Sequence, residues 1–254
     1  MVKGKRFTIA ILQARMSSSR LPGKVMLPIN GEPMIFRQIE RIRQASTINE
    51  IVVATSTDLS DDLLAEFLKK KGVEVFRGSL DDVLSRFLDI KEEKYATAII
   101  RLTGDCPLVM PELIDTMVAK FYETDADYLS NTLEPTYPDG LDVEVIKPSA
   151  LAKLAVLDLS GAEREHVTLG IYSRPSIFTL ENFCGEKDLS QNRWTVDYLE
   201  DLTFVRQVFS EFEGRESFFT LEDMMVLIGN NPGLKSAISA DRRNEQLGGI
   251  EIGE

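Results

Sequence analysis

Arg15, Arg20 and Lys24 fall within the segment Gln-Ala-Arg-Met-Ser-Ser-Ser-Arg-Leu-Pro-Gly-Lys, from Gln13 to Lys24, directly after the apolar run Phe7 to Leu12. Arginine offers a planar fork to phosphate oxygens and lysine a mobile point charge, while small side chains leave backbone N–H groups accessible. This combination suits a polyphosphate. The plainer reading is a solvated turn whose charges offset an acidic chain. Charge distribution localises the anion site: Lys3, Lys5 and Arg6 also precede the first acidic residue, Glu32, in a chain of net charge -12.

Two carboxylates complement the cations. Asp105 follows the apolar run Ala98 to Leu102 in Thr103-Gly104-Asp105-Cys106-Pro107, and Asp197 follows Arg193-Trp194-Thr195-Val196. A carboxylate at a strand end beside phosphates is placed to hold Mg²⁺, which takes one or two protein carboxylates and keeps several waters. Each aspartate is equally suited to cap the helix after it. His166 is the only histidine, which excludes a multi-histidine metal cluster and leaves a structural or a functional role open. Glu163, Arg164 and Glu165 read as the first turn of a helix facing a cleft, or as a solvated charge run. Asp139, Asp142 and Glu144 fall on an expected hairpin, where alternation puts Asp142 and Glu144 on one face, bordering a pocket or facing solvent. Trp194 is read as core.

The elements that must position these groups alternate. Short apolar runs at Phe7 to Leu12, Ile51 to Ala54, Val73 to Phe76 and Ala98 to Leu102 read as strands covered on both faces. Helical spacing separates them, at Met34, Ile35, Ile39 and Ile42, then Leu63 to Leu68, then Val83 to Leu88. The expected fold is α/β, a mostly parallel Rossmann-like sheet built from right-handed βαβ units. Asp127 to Ser130 and Leu141 to Ile146 read as strands around the turn Pro135 to Gly140, a small inserted antiparallel hairpin element. Ile177 to Phe183 and Trp194 to Val196 are expected to add strands, and Leu199 to Phe209 and Leu221 to Ile228 to close the fold as helices. We expect one domain over 1–254, with the inserted element at about 127–183 and a C-terminal helical tail at about 214–254.

An acidic balance argues against nucleic-acid binding, which needs an extended cationic face. Cys106 and Cys184 lack metal or disulfide-framework spacing. No apolar stretch reaches membrane-spanning length, so the expected setting is the cytoplasm without membrane insertion.

The segment Gln13 to Lys24, then Gly31-Glu32-Pro33-Met34-Ile35, Gly104-Asp105-Cys106-Pro107-Leu108, and Val196-Asp197 with Glu200-Asp201-Leu202 resemble, in matching order, the cytidylyltransferases that activate sugar acids. Tyr137 to Glu144 and Glu163 to Thr168 resemble the SpsF-like branch, named for spore coat polysaccharide biosynthesis; 3-deoxy-manno-octulosonate and acylneuraminate cytidylyltransferases are relatives. The resemblance implies a fold of the nucleotide-diphospho-sugar transferase type and transfer of CMP from CTP to a small sugar acid, with release of pyrophosphate. It places the nucleotide against Gln13, Ala14, Arg15, Ser17, Arg20, Lys24, Thr103, Gly104 and Asp105. Arg15, Lys24 and Asp105 take the catalytic roles and Asp105 with Asp197 holds Mg²⁺. Asn131, Tyr137, Asp139, Asp142, Glu165 and His166 are the acceptor candidates, and a homodimer is implied. Thr103 stands where the octulosonate enzymes carry Gln, so the acceptor need not be theirs. The alternatives are a glycosyltransferase using a preformed nucleotide sugar and a non-catalytic nucleotide-binding partner of a biosynthetic complex.

Overall fold

A computed structural model describes residues 6–234; Lys3, Lys5 and the expected tail beyond residue 234 lie outside the described residues. β1 (Thr8–Gln13) shows why the sheet is covered twice. Ile9 and Ile11 pack into one hydrophobic cluster, Ala10 and Leu12 into another, so the two-residue period of a strand feeds both layers. Each large aliphatic side chain removed from water in this way contributes roughly 1.5–3 kcal/mol.

Beyond the cationic loop, β2 (Pro28–Ile29) and β3 (Glu32–Pro33) form an antiparallel ribbon that the sequence reading did not anticipate. Asn30 and Gly31 turn it with φ of 45° and 81°, the left-handed pair that Asn-Gly supplies in tight hairpins. The expected alternation follows: α1 (Met34–Ile42), β4 (Glu50–Ser56), α2 (Asp62–Lys70), β5 (Glu74–Gly78), α3 (Val83–Lys94) and β6 (Ala98–Thr103). These strands lie parallel in the order β5-β4-β1-β6. The chain steps outward from β1 to β5, then crosses to β6 on the other side of β1. That reversal opens a crevice at the carboxyl ends of β1 and β6, where ligands bind open α/β sheets.

After α4 (Pro111–Phe121), β7 (Tyr128–Ser130) and β8 (Glu144–Ile146) pair antiparallel, as expected of the inserted hairpin. β8 also pairs antiparallel with β6, so the hairpin belongs to the main sheet. The strand expected from Leu141 begins only at Glu144. Residues 131–143 are a loop ordered by Asn131, whose Nδ2 donates to the Leu141 carbonyl (2.8 Å) and whose Oδ1 accepts from the Val143 N–H (2.9 Å).

α5 (Pro148–Ala155), α6 (Gly161–Glu165) and α7 (Leu169–Tyr172) lead to β9 (Leu180–Asn182), which pairs parallel to β7. The strand expected at Trp194 to Val196 does not form. Its backbone is tied to loops: Trp194 N–H donates to the Asp139 carbonyl (2.6 Å) and Val196 N–H to that of Asp105 (2.8 Å). Trp194 is core, as expected. α8 (Leu199–Glu211) and α9 (Leu221–Asn230) close the fold. Arg41, fully buried on α1, fastens this end by donating to the carbonyls of Val109, Glu216 and Phe219, each at 2.9 Å.

Candidate active site

The cationic loop is held at both ends. Met16 N–H donates to Asp61 Oδ1 (2.7 Å), and the Met16 carbonyl accepts from Ser18 (2.9 Å) and Gly23 (2.8 Å). Gly23, at φ 70°, then turns the chain into a short 3₁₀ helix, Lys24–Met26. The buried Lys24 Nζ thereby lies 3.0 Å from Asp105 Oδ2, 2.9 Å from Asp197 Oδ1 and 2.7 Å from the Val196 carbonyl. Burial opposes the ammonium charge, yet the two aspartates outweigh it and raise the Lys24 pKa above its ordinary value. Burial likewise opposes ionisation of Asp105, but Lys24 and the Thr103 hydroxyl hold its carboxyl down at about 2.

Neither aspartate is a helix cap. α4 has Met110 at its N-cap, and at the start of α8 it is Asp201 whose carboxylate accepts from the N–H groups of Asp197 (2.9 Å) and Tyr198 (3.0 Å). The Asp197 side chain is left to cations: Arg20 and Lys24 on Oδ1, and Arg193 Nη2 on Oδ2 at 2.8 Å. Burial tends to raise the Asp197 pKa, and Lys24 reverses this to a net lowering. A Cβ at Gly104 would lie 2.9 Å from Ala14 Cβ and 3.1 Å from Ile35 Cδ1, so the glycine lets β6 close against β1 and α1 at the crevice.

The crevice encloses about 150 Å³. Of the expected nucleotide residues, Gln13, Ala14, Arg15, Lys24, Thr103, Gly104 and Asp105 line it. Ser17 does not; it is exposed, and Ser18 and Ser19 face the crevice instead. Arg20 reaches the site through Asp197. Glu165 and His166 are the acceptor candidates that line it, with Glu165 3.2 Å from Arg15 Nη2. His166 ends α6, and burial depresses its pKa, leaving the imidazole neutral at pH 7. The next residue, buried Val167, has φ 49°, a costly conformation for a β-branched side chain that fixes the exit from α6. Glu163 faces its own helix, in a capping box with Ser160 and an ion pair with Arg174.

The remaining candidates do not line the crevice. Asn131 orders the hairpin loop, Tyr137 stacks on Phe183 with ring centroids 6.2 Å apart, and Asp139 is ion-paired to Arg193 at 2.6 Å. Asp142 also lies outside the lining.

Sequence reasoning missed Arg86 and Arg101. Both are cations inside apolar periodic runs, and that misfit was the available signal. Arg86 donates to the carbonyls of Ser79 (2.7 Å), Leu80 (2.8 Å) and Ala54 (3.3 Å), which fixes a charge at the crevice wall. Arg101 belongs to a polar row across adjacent strands: Tyr128 donates to Glu144 (2.6 Å), Glu144 pairs with Arg101, and Arg101 Nη2 donates to Gln13 Oε1 (3.3 Å). Glu144 is therefore buried and not solvent-facing, and it stands behind Arg101 and outside the crevice lining. The row occupies the Gln13 side-chain carbonyl through Arg101 at the crevice wall.

Among the described residues no group of three or more His, Cys, Asp or Glu side chains is arranged to hold a metal, and no helix is long and apolar enough to cross a membrane. Asp105 and Asp197 form a pair that converges on one cation position.

Similarity to known proteins agrees with this geometry. The chain is 32% identical, over 91% of its length and 98% of the relative's, to the spore coat polysaccharide biosynthesis protein SpsF of Bacillus subtilis. It shares 33% identity and a TM-score of 0.87 with the solved structure of a cytidylyltransferase from Leptospira borgpetersenii, over 92% of this chain and 98% of that one. The structure of CMP:2-keto-3-deoxy-manno-octonic acid synthetase complexed with CTP has the same fold, with a TM-score of 0.64 at 20% identity over 81% of this chain and 99% of that one. With a cation-rich loop at the end of β1, a carboxylate pair beyond β6 and before α8, and the cytidylyltransferase family model matching residues 9–231, the chain belongs to the cytidylyltransferase family, a nucleotidyltransferase.

Proposed function

We propose that the crevice binds CTP, transfers its CMP unit to a hydroxyl of a sugar acid and releases pyrophosphate, in the synthesis of a surface polysaccharide or glycan. The observation that carries this is Lys24, buried between Asp105 and Asp197 beneath a loop that also bears Arg15 and Arg20. The substrate class rests on the named activities of the relatives, a polysaccharide biosynthesis protein and a synthetase of a CMP-sugar acid.

The sugar hydroxyl gives up its proton to solvent as its oxygen bonds to the α-phosphorus and the bridging oxygen departs with pyrophosphate, so positioning and charge neutralisation dominate. Arg15, Arg20 and Lys24 bind the triphosphate, with Arg86 as a fixed charge in the wall. Gln13 donates through its amide. Asp105, with its pKa at about 2, is a ligand and not a proton acceptor near pH 7. The pair fits a hard divalent cation, since two carboxylate oxygens already point at a single ammonium and Mg²⁺ asks for one or two carboxylates. When bound, Mg²⁺ would polarise the α-phosphoryl group. Glu165 and His166 face the acceptor; the hairpin residues act behind the site. A homodimer through the 127–183 element belongs to the same reading, supported by Val156, an apolar side chain of that element that is 83% exposed.

The test is thermal stabilisation by CTP, UTP, GTP, ATP and dTTP with Mg²⁺, a ligand at 100 times its Kd adding roughly 2.7 kcal/mol. CTP is expected to be the stabilising nucleotide, with pyrophosphate release following when sugar acids are supplied. Stabilisation by UDP-sugars and by no triphosphate would replace this reading with a glycosyltransferase.

A further inference from the structure

Asp197 is surrounded by three cations of unequal mobility. Arg193 is the fixed one. Its side chain is 2% exposed and is held at once by Asp139 (2.6 Å), Asp197 Oδ2 (2.8 Å) and Asp201 (3.4 Å). Removing one partner from such a buried cluster would leave uncompensated charge. Arg20 and Lys24 share the other oxygen, Oδ1, and both come from the loop proposed to hold the triphosphate. Arg20 is 21% exposed, and its Nε is buried without a hydrogen-bond partner, a donor still waiting for an acceptor. Lys24 occupies the very position on which the two carboxylates converge.

We infer that Lys24 and Arg20 are placeholder cations that must leave the carboxylates to admit a divalent metal, while Arg193 is the positioning residue that keeps Asp197 aimed at the vacated position. This rests on reading Asp105 and Asp197 as the metal carboxylates. An ammonium 3.0 Å from Asp105 and 2.9 Å from Asp197 cannot share that position with a dication. Displaced into the crevice, Lys24 and Arg20 need new anions, and the triphosphate supplies them. The loop thus exchanges carboxylate for phosphate. Metal alone meets an occupied site, triphosphate alone strips Asp105 of Lys24 and leaves Asp197 with Arg193 only, and the two ligands favour one another reciprocally. Arg193, with its three partners, takes no part in the exchange and fixes the geometry for both states.

The experiment is Mn²⁺ binding to the nucleotide-free protein, read from the electron paramagnetic resonance of free Mn²⁺, in wild type, K24M, R20Q, R193K, D105N and D197N. Near-ultraviolet circular dichroism checks that each variant is folded. Loss of the placeholder is expected to tighten Mn²⁺ binding by roughly tenfold in K24M, within the usual range of coupling between sites, and by less in R20Q. R193K keeps the charge but loses the fork, and is expected to bind Mn²⁺ more weakly than wild type. Folded K24M and R20Q that bind no tighter than wild type would overturn the inference. If K24M fails to fold, the partly exposed Arg20 carries the same decision. D105N and D197N separate the two levels. Should they bind Mn²⁺ as wild type does, the metal reading itself is wrong; should they bind it poorly while K24M shows no gain, only the placeholder inference falls.

Discussion

Replacing Asp105 by asparagine preserves shape and removes the charge facing Lys24. The carboxyl sits at about 2 against its ordinary 3.8. At about 1.4 kcal/mol per pH unit this is a little over 2 kcal/mol of stability, and partial solvent access at the 26% exposed side chain brings the expectation to about 2 kcal/mol. The sign follows from the depressed pKa. The folded protein holds this proton more weakly than the unfolded chain, so the contribution is complete above about pH 4 and disappears as pH falls through about 2. For a chain of this size the variant should lose roughly 4–8 °C in Tm at pH 7. Calorimetry of wild type and D105N at pH 7, 4 and 3 should show the gap narrowing toward acid. An equal gap at every pH would mean that asparagine harms packing and that the Lys24 pair contributes no net stability. A gap of zero at pH 7 would refute the electrostatic account altogether.

Gly140→Ala should prevent folding, because its Cβ would lie 2.4 Å from the Thr195 nitrogen at φ 103°, whereas Gly214→Ala, at φ 81° in open space, should cost only about 1 kcal/mol; comparing soluble yield and Tm tests the contrast. Arg41→Met should lower stability by about 3 kcal/mol in urea unfolding, since the carbonyls of Val109 and Phe219 lose their buried donor; an unchanged midpoint would mean water replaces the guanidinium. Asn131→Ala should cost roughly 2–3 kcal/mol through the unpaired Leu141 carbonyl and Val143 N–H. Its KM for the acceptor should stay unchanged; a raised KM at full stability would return Asn131 to the acceptor pocket.

The alternation of strands and helices was legible because parallel strands buried on both faces read as unbroken apolar runs, and these matched β1, β4, β5 and β6 closely. The late segment was not. Arg193 to Val196 carries strand-forming residues, but its hydrogen bonds go to the Asp139 and Asp105 loops, a tertiary choice that local pattern does not encode. Arg15, Lys24 and Asp105 were readable as charges at strand ends, the places an α/β fold leaves open. The partner of Asp139 was not legible, because a carboxylate in a Pro-Asp-Gly turn gives no local sign of the Arg193 that the fold brings beside it. Arg86 and Arg101 were passed over because a helix or strand with apolar spacing is assigned to core, although a guanidinium satisfied by carbonyls or a glutamate fits there too.

The stitching of the hairpin turn to the segment before α8 sets limits on how the protein can be remodelled. Asp139 N–H donates to the Asn192 carbonyl, Trp194 N–H returns to Asp139, and Gly140 lies directly against the Thr195 peptide. Through Arg193 the same seam ends on Asp197. A loop exchange intended to alter acceptor choice therefore has natural cut points on either side of 138–141, and a graft that crosses them would disturb the chemistry along with the specificity. Asn131 and the Thr136 contacts to Gly185 and Leu189 belong to the same framework, so the turn at 138–141 behaves as part of the frame that holds Asp197.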